Sequence, residues 1–293
     1  MREKFTDYLR FEKGYSIHTL KAYDSDLTSF EAFLSENFAI DHIADADEAV
    51  LRSWVASMME EGLTAKSIRR RVSTVRTFFK WLMKYYGAVH NPAATLALPK
   101  IPKRLPVYAE EAQMEALFPE RVYPEGYAGI LDRTLIELLY HTGMRLAELT
   151  GLKKNAFDPE QGTLRVLGKR NKERIIPVGK SLSNLLMSYE QARDLLPSIK
   201  DQACFFLTEN GAKLYPKFVY RRVNHYLGSV SSLQKKSPHV LRHTFATHML
   251  NRGADLNAIK EILGHASLAA TQVYTHNSIE KLKEIHRKAH PKG

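Results

Sequence analysis

Three short stretches of the chain set ionisable side chains at spacings that chemistry could use. In YHTGMRLAELTGL, Tyr140 to Leu152, a helix is expected to end at Thr142-Gly143 and a short one to begin near Met144. Arg145 and Glu148 then stand about one turn apart, a spacing that an i,i+3 ion pair explains by itself. In SPHVLRHTFATHML, Ser237-Pro238 start a helix on which His239 and Arg242 share one face, while Leu241, Phe245 and Leu250 are expected to pack inward. Two cationic donors on one face suit a phosphate. The third stretch, LGHASLAATQVYTH, places His265 nine residues before Tyr274. Gly264 is expected to close one helix, and Ser267 to cap a short one that carries Tyr274. A lone tyrosine is commonly a part-buried core residue, and the pair alone leaves that reading open.

The elements that must position these residues can be read from hydrophobic periodicity. After a first short helix, Ser16 caps a segment in which Leu20, Tyr23, Leu27, Phe30, Phe33 and Leu34 recur at helical spacing. Asp45 to Glu61 reads as a third helix. Thr64 caps a fourth, with Ile68, Val72, Val75, Phe78, Phe79, Leu82 and Met83 inward and Gly87 as its stop. The stretch NPAATLALPKIPKRLP holds four prolines in 16 residues, the composition of an extended linker. Residues 1–88 are therefore expected to form a helical domain, 89–106 a linker and 107–293 a second, mixed domain. In the second, TLRVL and ERIIPV flank the turn GKRNK as a β-hairpin.

Charge indicates the partner. Lys and Arg total 43 against 32 for Asp and Glu, a net +11 that favours a polyanion, nucleic acid above all. Residues 1–90 carry 13 basic and 13 acidic side chains, so the net excess lies beyond them. Yet from Gly62 to Ala109 there is no acid and ten bases, among them Arg69, Arg70, Arg76 and Lys80. Solvated helix faces normally mix signs, so these four are candidate contacts to DNA phosphates. A single cysteine, Cys204, precludes an internal disulfide, and the charged start MREKFTDYLRFEKGY does not read as a secretory signal. No apolar run approaches the roughly 18 residues of a membrane span. A soluble, cytoplasmic protein is expected.

The motifs TGMRLAEL, GKRNKER, HVLRHTFATH, LGH and the tyrosine of TQVYTH, in this order and spacing, resemble the tyrosine site-specific recombinases of the phage-integrase type, most of all the bacterial Xer recombinases (XerC/XerD). The resemblance covers essentially the whole chain. It implies a mostly α fold with a small β-sheet: a helical, SAM-like core-binding domain and an α+β catalytic domain, together a C-shaped clamp on double-stranded DNA. It implies Tyr274 as the nucleophile that forms a 3′-phosphotyrosyl link, and Arg145 and Arg242 as the clamp on the scissile phosphate. His239 then assists proton transfer, His265 donates to a phosphate oxygen, Lys169 protonates the departing 5′-oxygen, and Glu148 orients Arg145. Arg170 stands where the family usually has a second glycine at the hairpin tip, which makes it a further candidate phosphate contact.

Exchange of one phosphodiester for another conserves bond energy, so the resemblance implies no cofactor, metal or ATP. The histidines of HVLRH lack the glutamate of a zinc-binding HExxH helix, and His243 and His248 read as packing or hydrogen-bonding residues. The resemblance further implies a homo- or hetero-tetramer with itself or a second Xer recombinase, resolution of chromosome dimers at a dif-like site, and a DNA translocase as a further partner. Ile279, Leu282 and Ile285 recur at helical spacing, as for a tail exchanged between protomers or packed on its own domain. Integration of a mobile element, relaxation of DNA in the manner of type IB topoisomerases, and a catalytically silent repressor on the same fold are the alternatives; the last has no need of Tyr274.

Overall fold

Short polar side chains at helix starts and glycines at helix ends punctuate the chain. The computed structural model describes residues 1–102, 107–168, 172–264 and 288. It divides into two compact units, Met1–Arg104 and Leu105–Gly293. Among the described residues no helix is long and apolar enough to cross a membrane.

The first unit is helical: α1 (Arg2–Asp7), α2 (Ile17–Phe38), α3 (Glu48–Glu60) and α4 (Ala65–Tyr86). Each of the last three is capped by a side chain that accepts a hydrogen bond from an otherwise orphaned backbone N–H: Ser16 from Thr19, Asp47 from Val50 and Thr64 from Ser67. Gly87, at φ 70°, ends α4 in the left-handed conformation. The apolar stripes of α2, α3 and α4 meet around Leu27, Phe30, Leu51, Trp54, Val75 and Phe78, all at most 2% exposed. Phe30 and Trp54 pack with ring centroids 4.4 Å apart. Burial of each such large side chain contributes on the order of 2–3 kcal/mol. Met83, expected inward, is 42% exposed, and Trp81 occupies the core in its place. The α4 stripe turns past Met83, while the larger indole two residues earlier fills the space beside Phe5 and Phe78.

The chain beyond Gly87 continues to pack on this unit. Ala93 and Leu96 are buried in its core. Arg76 donates from Nε to the Ala93 carbonyl at 2.5 Å and from Nη2 to the Leu96 carbonyl at 3.1 Å. Asn91 returns a bond from its side-chain amide to the Arg76 carbonyl at 3.0 Å.

The second unit contains α5 (Glu111–Glu115), α6 (Tyr127–Thr142), α7 (Leu146–Thr150), strands β1 (Phe157–Asp158), β2 (Thr163–Leu167) and β3 (Glu173–Pro177), then α8 (Lys180–Asp194), α9 (Pro216–Val230), α10 (Pro238–Asn251) and α11 (Leu256–Leu263). From Leu131 to Thr142 nearly every residue of α6 is buried, the pattern of a helix surrounded by others, and α8 and α10 pack against it. The three strands form an antiparallel sheet in the order β1-β2-β3. Leu164 pairs with Ile176 and Val166 with Arg174, and directly opposed residues share a face. Arg174 therefore points inward, with Leu164, Val166 and Ile176. On α10, Leu241 and Phe245 are buried as expected, but Leu250 is 44% exposed and Met249 takes the inward place, one position earlier on the helical repeat.

Candidate active site

Gly143 sets the site's geometry. It ends α6 at φ 58°, and a Cβ there would lie 2.6 Å from both Leu263 Cδ2 and Phe245 Cδ1. Only glycine allows this turn to sit so close to α10 and α11. Arg145 follows as the N-cap of α7, and Glu148, in that helix's first turn, accepts from the Arg145 backbone N–H at 2.8 Å and from its Nη1 at 2.8 Å. The i,i+3 pair expected from the sequence is present.

Arg242 enters from α10, whose first turn is set by Pro238 at a position that needs no N–H donor. Its side chain is buried and donates from Nη1 to the Gly143 carbonyl at 2.6 Å and from Nη2 to the Leu263 carbonyl at 2.8 Å. Arg145 donates from Nη2 to the next carbonyl, that of Gly264, at 3.2 Å. Arg145 and Arg242, 97 positions apart in the chain, thus meet on adjacent carbonyls at the end of α11. That end is where the helix dipole is negative and unpaired C=O groups accept cations.

A third arginine, missed in the sequence reading, completes the cluster. Arg174 donates from Nε to the Ile262 carbonyl at 2.7 Å, and its two terminal nitrogens form a fork on Glu148, at 2.9 Å to Oε1 and 2.8 Å to Oε2. Three consecutive carbonyls, of Ile262, Leu263 and Gly264, are thus each held by a different guanidinium. The alternation of ERIIPV could have revealed Arg174, because strand parity sets it on the face of Ile176.

Electrostatics follow from this crowding. Burial works to raise the Glu148 carboxyl, but hydrogen bonds and charge from Arg174, supported by Arg145, overrule it and hold the group below its ordinary value. Burial and the charge of Arg145 push Arg242 down to about 10 against the pull of Glu148, which leaves it cationic at neutral pH. Arg145 and Arg174 bond the Glu148 carboxylate while Arg242 feels only its charge, so among the described residues the three guanidiniums keep a surplus of positive charge suited to an anion with several acceptor oxygens.

His239 lies exposed in the first turn of α10, its ring centroid 4.3 Å from that of His243 one turn later. Burial, and then the charges of His239 and Arg242, push His243 down, so it favours the neutral form. His248 is buried and hydrogen-bonded to the Tyr140 hydroxyl at 3.0 Å, the structural role expected of it.

Lys169, Arg170, His265, Tyr274 and the tail positions Ile279, Leu282 and Ile285 lie outside the described residues. The residues preceding two of them are well placed. Gly168, before Lys169, donates to the Lys172 carbonyl at 2.7 Å, and a Cβ on it would lie 3.7 Å from Glu148 Oε1. Gly264, before His265, is the residue whose carbonyl Arg145 holds.

The four candidate phosphate contacts in the first unit differ from one another. Arg69, Arg70 and Lys80 are exposed, and Arg69 donates to the Pro99 carbonyl at 3.5 Å. Arg70 reaches the buried Asp26 carboxylate, which also accepts from Thr74 at 2.8 Å. Arg76 is the residue that ties Ala93 and Leu96 to α4.

Comparison with known proteins gives a consistent result. The model of the "Phage integrase family" matches residues 108–281, and that of the "Phage integrase, N-terminal SAM-like domain" matches residues 3–85. The chain is 39% identical to tyrosine recombinase XerC of Pelobacter propionicus over 290 residues, covering 99% of this chain and 94% of that protein. It is 38% identical to tyrosine recombinase XerD of Proteus mirabilis over 295 residues, covering 99% and 93%. Among solved structures, XerH site-specific recombinase bound to a palindromic difH substrate has the same fold, with a TM-score of 0.72 at 23% identity, covering 97% of this chain and 83% of that one. The chain belongs to the phage integrase family of tyrosine recombinases, enzymes that break and rejoin DNA.

Proposed function

We propose that the protein is a Xer-type recombinase that exchanges strands between two double-stranded dif-like sites and so resolves chromosome dimers. In this reading residues 1–88 grip DNA, 89–106 join the units and 107–293 carry out the chemistry. The Tyr274 hydroxyl oxygen attacks the scissile phosphorus; the bond from phosphorus to tyrosine forms as the bond to the 5′-oxygen breaks. The tyrosine proton leaves with help from His239, and Lys169 supplies the proton that the 5′-oxygen takes up. Arg145 and Arg242 hold the non-bridging oxygens while charge gathers on them, with His265 as a further donor. Rejoining runs the same steps backwards with a 5′-hydroxyl from the other duplex, so no net bond energy is spent.

The observation that carries this reading is the convergence of Arg145 and Arg242 on adjacent carbonyls around the single carboxylate of Glu148, which creates a cationic site at the residue before His265. The identities with XerC and XerD support the assignment to the Xer branch, and the difH complex of XerH supports a dif-like substrate. Two exchanging duplexes require a tetramer, formed with itself or with a second Xer recombinase. A DNA translocase is the partner we propose for its activation.

The test is to incubate the protein, alone and with candidate second recombinases, with labelled duplexes carrying dif-like sites and with supercoiled plasmid. Recombinant duplexes that depend on two dif-like sites are expected. Relaxation of plasmid lacking such a site, with no exchange, would refute the assignment in favour of topoisomerase action.

A further inference from the structure

Arg174 is as buried as Arg242, yet it is none of the residues assigned phosphate or proton chemistry. Its side chain is 7% exposed, against 39% for Arg145. Its guanidinium is enclosed by two glycines as well as by its partners. A Cβ on Gly264 would lie 3.2 Å from Arg174 Cδ and Nη1, and one on Gly168 would lie 3.6 Å from Nη1. These two glycines begin the two segments that lead, in sequence, to His265 and to Lys169.

We propose that Arg174 is a positioning residue for strand cleavage: it fixes Glu148, and through it Arg145, against the end of α11 from which the chain runs on to His265 and Tyr274. This rests on the functional reading given above and deepens it. The geometry divides the labour among the three arginines. Arg145 is exposed enough to meet a phosphate and holds the Gly264 carbonyl by a long 3.2 Å bond. Each of Arg174's three nitrogens is engaged internally, with Nε on Ile262 and both terminal nitrogens on Glu148. A guanidinium with this planar fork can bind carboxylate and carbonyl at once; an ammonium cannot reproduce it. When a phosphate draws Arg145 away from Gly264, Arg174 keeps both Glu148 and α11 in place, so the clamp moves toward its substrate without losing its foundation.

The test uses the full-length protein, with Arg174→Lys and Arg174→Met, and nicked duplexes carrying a dif-like site that the wild type cleaves. Two forms of the duplex are compared: one with the ordinary scissile phosphate, and one in which a methyl group replaces a non-bridging oxygen and removes its charge. DNA affinity should stay within roughly threefold of wild type, while single-turnover cleavage of the phosphate at saturating DNA falls about 100-fold for Arg174→Met and less for Arg174→Lys. On the neutral methylphosphonate the loss should contract to about tenfold or less, because a misplaced Arg145 forfeits less where there is less charge to stabilise. A merely structural role lowers the competent fraction equally for both substrates. Equal losses on both, or full cleavage by a folded Arg174→Met, would overturn the assignment. If Arg174→Met does not fold, the ratio for Arg174→Lys decides in the same way. A wild type that cleaves no dif-like duplex overturns the functional reading itself, a result distinct from a harmless Arg174 substitution.

Discussion

Glu148 serves two arginines of unlike exposure, and its removal has unequal consequences for them. Arg145 is free to find solvent, but Arg174 stays buried without a counter-charge. Glu148→Ala is therefore expected to destabilise the protein by about 3–5 kcal/mol in urea unfolding at pH 7, and Glu148→Gln by less. The acid dependence has a definite sign. The folded carboxyl lies below its ordinary value, so its stabilisation is complete above the unfolded pKa of about 4.3 and is lost as pH falls through the lower folded value. The gap between wild type and Glu148→Gln should accordingly close as pH is lowered below about 4. The Arg145–Glu148 pair and the shared helix of His239 and Arg242 were legible in the sequence because a spacing of about one helical turn is local. The partners of Arg174 were not, because they lie 26 and 88 positions away and the parity of ERIIPV gives only the direction of its side chain.

The helices and the hairpin were legible because their punctuation is chemical: Ser16, Asp47 and Thr64 cap, Gly87 and Gly264 terminate, and Pro238 begins. Which residue at the edge of an apolar stripe goes inward was less so. Met83 yielded to Trp81 and Leu250 to Met249, choices made by the space that neighbouring elements leave rather than by period. Gly143 is the element-scale position on which the site depends, since it lets the end of α6 meet α10 and α11 and presents its carbonyl to Arg242. Gly143→Ala meets both a positive φ and two close contacts, and is expected to cost about 1–3 kcal/mol or more in denaturant unfolding. Strand cleavage should fall with it, whereas Gly62→Ala, also at positive φ but with open space around its Cβ, should destabilise less and spare cleavage.

At the scale of the whole molecule, the excess of positive charge gave the class of partner, and the acid-free strip gave its expected place in the first unit. The sequence did not separate bases that face solvent from those spent internally, because that depends on what Asp26 and the chain around Ala93 offer them. Arg69→Ala and Lys80→Ala should each lower the log-log salt slope of DNA binding by roughly 0.9 and leave stability unchanged. Arg76→Ala should instead destabilise the first unit by about 1–3 kcal/mol, as two carbonyls lose their donor. The central claim concerns one atom, the hydroxyl oxygen of Tyr274, and its most direct test is to trap the covalent adduct on a nicked dif-like duplex, digest it and locate the nucleotide-bearing peptide by mass spectrometry. A 3′-phosphate on Tyr274, absent from Tyr274→Phe protein that still binds the duplex, is the predicted result. An adduct on any other residue, or one that persists in Tyr274→Phe, would contradict the account.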